Sequence, residues 1–122
     1  MAAGQLISIV DDDPSMLEAL VGLVRSLGYD ARGFVSAEDF LASIDLGQFA
    51  CAITDIQMPG MNGFELKREL SMRHRSLPVI MITAGAEPSI EAKAMSSGAT
   101  CFLRKPFEAQ TLVSCLQRIL GV

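Results

Sequence analysis

Apolar residues gather in short runs along the chain, at Leu6–Val10, 51–54, 78–83 and 100–103, with a weaker run at 30–35. The runs at Leu6–Val10, 78–83 and 100–103 are solidly apolar rather than alternating, as parallel strands covered on both faces require. Between the runs the period changes to three and four. Met16, Leu17, Leu20, Leu23, Val24 and Leu27 mark a first helix that Gly28 stops. Ser36-Ala37-Glu38-Asp39 opens a second, with Phe40, Leu41 and Ile44 on its inner face. Phe64, Leu66, Leu70 and Met72 form a third, less regular pattern, 90–97 a short fourth ending at Gly98, and 108–120 a fifth with Leu112, Val113, Leu116, Ile119 and Leu120 apolar.

Five strand–helix units with right-handed crossovers predict an α/β fold, an open, doubly wound parallel sheet of (βα)5 type with strand order 2-1-3-4-5, as in flavodoxin-like folds. No repeat, low-complexity segment or internal linker interrupts the 122 residues, so 1–122 is expected to be one domain. The fifth helix runs to Gly121-Val122, so no further domain is expected within these residues, and the chain is expected to be either a single-domain protein or one domain of a longer one. In such sheets ligands bind beyond the carboxyl ends of the strands where the strand order reverses, here between the first and third strands. Asp11-Asp12-Asp13 ends the first and Asp55 the third. Topology alone brings the two acidic stretches together.

Composition narrows the function. A net charge of −4 argues against nucleic-acid contact by this chain, since phosphate contacts need clustered Lys and Arg. The short basic cluster, Lys67-Arg68 with Arg73-His74-Arg75, is expected to be a solvated helix end. Cys51, Cys101 and Cys115 have no paired spacing and lie in apolar runs, as small buried hydrophobes of a reducing cytoplasm. His74 stands alone among arginines, a poor metal ligand. No segment reaches the ~18 apolar residues of a membrane span, and the N-terminus lacks a basic region followed by an apolar stretch. A cytoplasmic protein without membrane contact is the expectation.

Crowded carboxylates are costly unless a cation neutralises them. Asp11, Asp12 and Asp55 suit Mg²⁺, which takes carboxylate, water and phosphate oxygens. Asp13 precedes Pro14 and is expected to cap the first helix instead. Taken alone, Asp11 and Asp12 fit equally well as a solvated loop at a helix N-terminus. Lys105, before Pro106 at the end of the last strand, adds a cation that reaches the carboxylates. The Lys105-Pro106 bond is a place for a cis peptide. Thr83 ends the fourth strand as a hydroxyl donor. A carboxylate nucleophile, divalent metal, lysine and hydroxyl form a phosphoryl-transfer set.

Asp11-Asp12, Asp55, Met58-Pro59-Gly60-Met61-Asn62-Gly63, Thr83-Ala84 and Lys105-Pro106-Phe107 together resemble the signature of bacterial two-component response-regulator receiver domains of the chemotaxis-regulator type. The match runs in order across essentially the whole chain. The Lys105-Pro106-Phe107-Glu108 ending and Phe102 resemble receivers of the nitrogen-fixation-regulator type. The resemblance implies that Asp55 is the phosphoacceptor and Mg²⁺ the cofactor. It implies that Asp12 is a direct ligand, that Asp11 acts through water, and that the backbone carbonyl of Gln57 completes the protein ligands. Lys105 then pairs with the carboxylate and the phosphoryl group, Thr83 contacts a phosphoryl oxygen, and Phe102 is the switch aromatic. Ala84 leaves access to the acceptor, while Gln57 and Gly85 sit where the family varies.

The implied partners are a sensor histidine kinase as donor and an output domain or target protein as receiver of the signal. The chain is then a signalling phosphoacceptor, not an enzyme, that assists its own phosphotransfer and autodephosphorylation. Glu91, Lys93, Arg104, Glu108 and Arg118 give the fourth-helix, fifth-strand and fifth-helix face mixed charge, which suits a two-fold homodimer on phosphorylation. An Mg²⁺-dependent phosphatase of haloacid-dehalogenase type is the alternative, with Asp11-Asp12-Asp13-Pro14-Ser15 as its opening and Asp11 as nucleophile. It leaves Asp55 without a role and offers only Glu108 for the later acidic motif. A flavin carrier would need Ser, Thr and Gly where the first loop is acidic.

Overall fold

A computed structural model describes residues 5–43, 46–73 and 76–121. Ile44, His74, Arg75 and Val122 lie outside the described residues. The strands are β1 (Leu6–Val10), β2 (Asp30–Phe34), β3 (Phe49–Asp55), β4 (Val79–Thr83) and β5 (Cys101–Arg104). The helices are α1 (Pro14–Ser26), α2 (Ala37–Leu41), α3 (Gly63–Arg73), α4 (Ser89–Ser96) and α5 (Ala109–Leu120). All pairings are parallel, and the order is β2-β1-β3-β4-β5, as the sequence predicts.

The solidly apolar strands serve two cores. Along β4, Val79 and Met81 face one core and Ile80 and Ile82 the other, because side chains alternate with a period of two. Leu20 and Val24 of α1 and Leu112 and Leu116 of α5 pack on the face of Ile7, Ile9, Ile53 and Ile80. Phe40 of α2, Leu66 and Leu70 of α3 and Ile90 of α4 pack on the opposite face, with Phe34, Phe49 and Met81. Cys51, Cys101 and Cys115 all join the core under α1 and α5 as free thiols, and burial pushes Cys51 up to about 12.

Four local expectations need correction. β3 begins at Phe49 rather than at 51, because Phe49 pairs with Leu6 across a register shift. β2 stops at Phe34, leaving Val35 exposed. Met72 carries the apolar pattern of α3 onto its solvent face, whereas Leu66 and Leu70 are buried. Lys67 is not a solvated helix end. It is buried, with its ammonium donating to Ser71 Oγ at 2.8 Å, while Arg68 and Arg73 are exposed.

Two helix starts fix the loops around the strand ends. Asp13 caps α1, accepting from Ser15 N and Met16 N at 3.0 and 3.4 Å, with Pro14 at the first helical position. Asn62 and Glu65 form a reciprocal box at the start of α3, each side chain accepting from the other's N–H at 2.9 Å. Gly63 is required there: a Cβ would lie 2.7 Å from the Asp55 carbonyl oxygen and 2.8 Å from Ile56 Cα. Only a glycine lets α3 start so close to the end of β3.

Candidate functional site

The carboxyl ends of β1, β3, β4 and β5 meet on one edge of the sheet, and each presents a polar group there. Asp11 follows β1, Asp55 ends β3, Thr83 ends β4 and Lys105 follows β5. Their level is set by backbone bonds: Ile56 N to Ile82 O at 2.8 Å and Lys105 N to Thr83 O at 2.7 Å.

Carboxylate oxygens of Asp11, Asp12 and Asp55 all lie within 4.8 Å of one another. Asp11 is almost fully buried, Asp55 is buried with a little exposure, and Asp12 is open to solvent. Lys105 Nζ donates to Asp11 Oδ2 at 3.0 Å and to Asp55 Oδ2 at 3.4 Å. Asp11 Oδ1 accepts from Asp13 N at 3.0 Å. The triplet is therefore divided by role: Asp11 and Asp12 belong to the cluster and Asp13 to the helix cap. The Lys105–Pro106 peptide is cis.

Burial raises the Asp55 carboxyl, the Lys105 charge lowers it, Asp11 raises it again, and the net shift is upward. Burial pulls Lys105 down, yet the hydrogen bond to Asp11 and the charges of Asp55 and Asp11 outweigh it, so Lys105 is also raised. At Asp55 burial is the main cause, and an ammonium shared with Asp11 does not offset it; at Lys105 two carboxylates around one ammonium outweigh the burial. The cation is over-compensated and Asp55 under-compensated. That imbalance, with three oxygens converging and Asp12 on the open side, fits an oxygen-seeking divalent cation such as Mg²⁺.

Thr83 is fully buried, and its Oγ1 accepts from Gly85 N at 2.9 Å. Phe102 is half-buried on β5, against the α2–α3–α4 core. The Gln57 side chain is exposed beside Gly85, where a Cβ would meet its amide at 3.1 Å.

Two supporting residues carry no local signal in the sequence. Glu38 of α2 accepts from Met61 N at 3.0 Å, across 23 residues of chain, and holds the loop that follows β3. The loop turns there at Gly60, with φ of 72°, where a Cβ would come 2.8 Å from Glu38 Oε2. Arg104 of β5 reaches the loop after β4, donating to Gly85 O at 2.6 Å and Glu87 O at 2.9 Å. Its exposed position in the sequence pattern conceals both bonds.

Comparison with known proteins agrees with this edge. The family model described as response regulator receiver domain matches residues 7–117. The response regulator protein TmoT of Ectopseudomonas mendocina is 39% identical over 117 residues, covering 94% of this chain and 52% of that protein. The transcriptional regulatory protein FixJ of Bradyrhizobium diazoefficiens is 32% identical over 111 residues, covering 91% of this chain and 54% of its own length. The chain thus spans about half the length of these curated relatives. Among solved structures, the Vibrio cholerae chemotaxis protein CheY4 superposes with a TM-score of 0.86 at 29% identity, covering 96% of this chain and 99% of that one.

Proposed function

The chain belongs to the response regulator receiver family, the phosphoacceptors of two-component signalling, and from that membership we propose that Asp55 is the residue that takes the phosphoryl group. The observation that carries this choice is the difference between the two buried carboxylates. Both oxygens of Asp11 are engaged, Oδ1 by Asp13 N–H and Oδ2 by Lys105, and the residue is almost fully buried. Asp55 keeps more exposure and a longer contact to Lys105. That geometry also disfavours a phosphatase with Asp11 as nucleophile.

The donor is a phosphohistidine of a sensor histidine kinase, or a small acyl phosphate. An Asp55 oxygen attacks the phosphorus while the bond to the donor nitrogen or oxygen breaks. Asp11, Asp12, Asp55 and the carbonyl of Gln57 would hold Mg²⁺, which supplies neutralisation of charge on the phosphoryl oxygens. Lys105, already raised by its two acidic partners, stays protonated through the reaction and balances the transferred group. The same arrangement admits water for autodephosphorylation, at a mouth bordered by Ala84, Gly85 and Gln57.

The added group carries roughly −1.5 to −2 charge by analogy with phosphate monoesters. Thr83 turns its hydroxyl toward the new oxygens, and Phe102 moves into the volume it leaves. The α4–β5–α5 face changes shape, and the signal passes to an output domain or target protein, or to a second copy of the chain. Among the described residues no helix is long and apolar enough to cross a membrane, and we place the protein in the cytoplasm with its donor.

Incubation with acetyl phosphate and Mg²⁺, followed by intact mass, tests the assignment. One phosphoryl group is expected on the wild type and none on Asp55→Asn. Full labelling of Asp55→Asn with loss in Asp11→Asn would transfer the role to Asp11.

A further inference from the structure

Five residues, 84–88, separate β4 from α4, and little within them holds their path. Pro88 precedes α4 without a side-chain capping bond. The fixed points come from β5. Arg104 lies opposite Thr83 in the β4–β5 pairing, and its half-buried guanidinium forks onto two carbonyls of this connection, Gly85 O at 2.6 Å and Glu87 O at 2.9 Å. Gly85 in turn donates its N–H to Thr83 Oγ1 at 2.9 Å. The same guanidinium stacks on Phe102, with 5.2 Å between its central carbon and the ring centroid. One side chain therefore touches both moving parts of the switch: the ring of Phe102 and the peptide that fixes the Thr83 hydroxyl.

We propose that Arg104 is a positioning residue that latches the receiver in its resting arrangement, acting through Gly85 and Phe102. This rests on the assignment of Asp55, Thr83 and Phe102 above. Two features set the direction of the effect. The stacking holds the half-buried ring of Phe102 at the margin of the α2–α3–α4 core, so a ring that moves deeper into the volume beside Thr83 must leave the guanidinium. The fork holds Gly85 where its N–H engages Thr83, so a hydroxyl that turns toward a phosphoryl group loosens that peptide. Both motions break Arg104 contacts, and both contacts therefore stabilise the arrangement that precedes them. Charge-assisted bonds from a planar fork are strong and directional, and a lysine cannot reproduce them.

Binding of beryllofluoride with Mg²⁺, followed by fluorine NMR, reads the equilibrium, and the rate of labelling by acetyl phosphate reads the reaction. Arg104→Ala is expected to bind beryllofluoride about tenfold more tightly and to label several-fold faster, the scale that loss of charge-assisted bonds at a partly exposed site produces. Arg104→Lys keeps a cation near Phe102 but loses the fork, and should fall between the two. Arg32→Ala is the control. Arg32 also stacks on aromatic rings, at 5.5 Å from Phe34 and 5.9 Å from Phe49, but on the opposite edge strand. It should lower stability without tightening beryllofluoride. An Arg104→Ala protein that binds and labels no better than wild type, in a background where wild type does both, overturns the latch alone. A wild type that takes up neither beryllofluoride nor phosphate overturns the assignment of Asp55 and the latch with it.

Discussion

Lys105 lies closer to Asp11 than to the carboxylate it is expected to serve, at 3.0 Å against 3.4 Å for Asp55. The shorter contact involves the more deeply buried acid, so the ammonium is anchored by Asp11 and shared with Asp55. Such an arrangement parks the cation beside Asp55 without saturating it. Removing the cation leaves two buried carboxylates facing each other. Lys105→Ala is expected to lose on the order of 1–3 kcal/mol of stability in urea unfolding, less than a fully buried pair because Asp55 is partly solvated. Mg²⁺ should restore part of that loss. A variant as stable as wild type without metal would mean that the carboxylates tolerate each other.

The upward shift of Asp55 makes a signed statement about pH. Ionising a carboxyl whose folded pKa is raised costs more in the folded chain than in the unfolded one, so the penalty is absent below the unfolded pKa of about 3.9 and full above the folded value. Asp55→Asn removes the penalty. Without divalent metal the variant is expected to exceed wild type in urea midpoint near pH 7, with the gap closing as pH falls through the folded pKa toward about 4. A gap constant over that range would show that ionisation of Asp55 is not its source.

Asp12 and Asp13 are adjacent but should fail differently. Asp12→Ala is expected to weaken Mg²⁺ binding in calorimetric titration with little change in folding. Asp13→Ala should retain Mg²⁺ and lose about 0.5–2 kcal/mol of stability, the usual value of a helix cap. Equal loss of Mg²⁺ affinity in both variants would contradict the separation of roles.

The α4–β5–α5 face is expected to pair with its own copy when activated. Glu91 is exposed on α4 and Glu108 and Arg118 at the two ends of α5, so a two-fold axis can set acids against bases, whereas the ammonium of Lys93 lies 4.7 Å over the Phe64 ring, toward α3. Arg104 belongs less to this face than its sequence position suggests, since two carbonyls hold it. Rim charges contribute little each, so the dimer should be weak. Sedimentation at several concentrations, with and without beryllofluoride, measures it. An activated chain that stays monomeric at high concentration would instead hand its face to a different protein.

The sequence by itself determined the strand order, the alternation of strands with helices and the edge where the acids meet. Those features follow from local periodicity, from the handedness of strand–helix–strand connections and from residues placed at strand ends. It also separated Asp13 from Asp11 and Asp12, because a cap before proline is a local device. The burial of Lys67 and the exposure of Met72 were decided only by tertiary structure, since position on a weakly periodic helix does not state which side the next helix covers. The same holds for the contacts of Glu38 with Met61 and of Arg104 with Gly85 and Glu87. Each joins segments about twenty residues apart, and in each the acceptor or donor is a backbone group that every residue carries. No side-chain pattern marks such a partner, so only the folded chain, with its strand ends brought level, shows which residues steady the site.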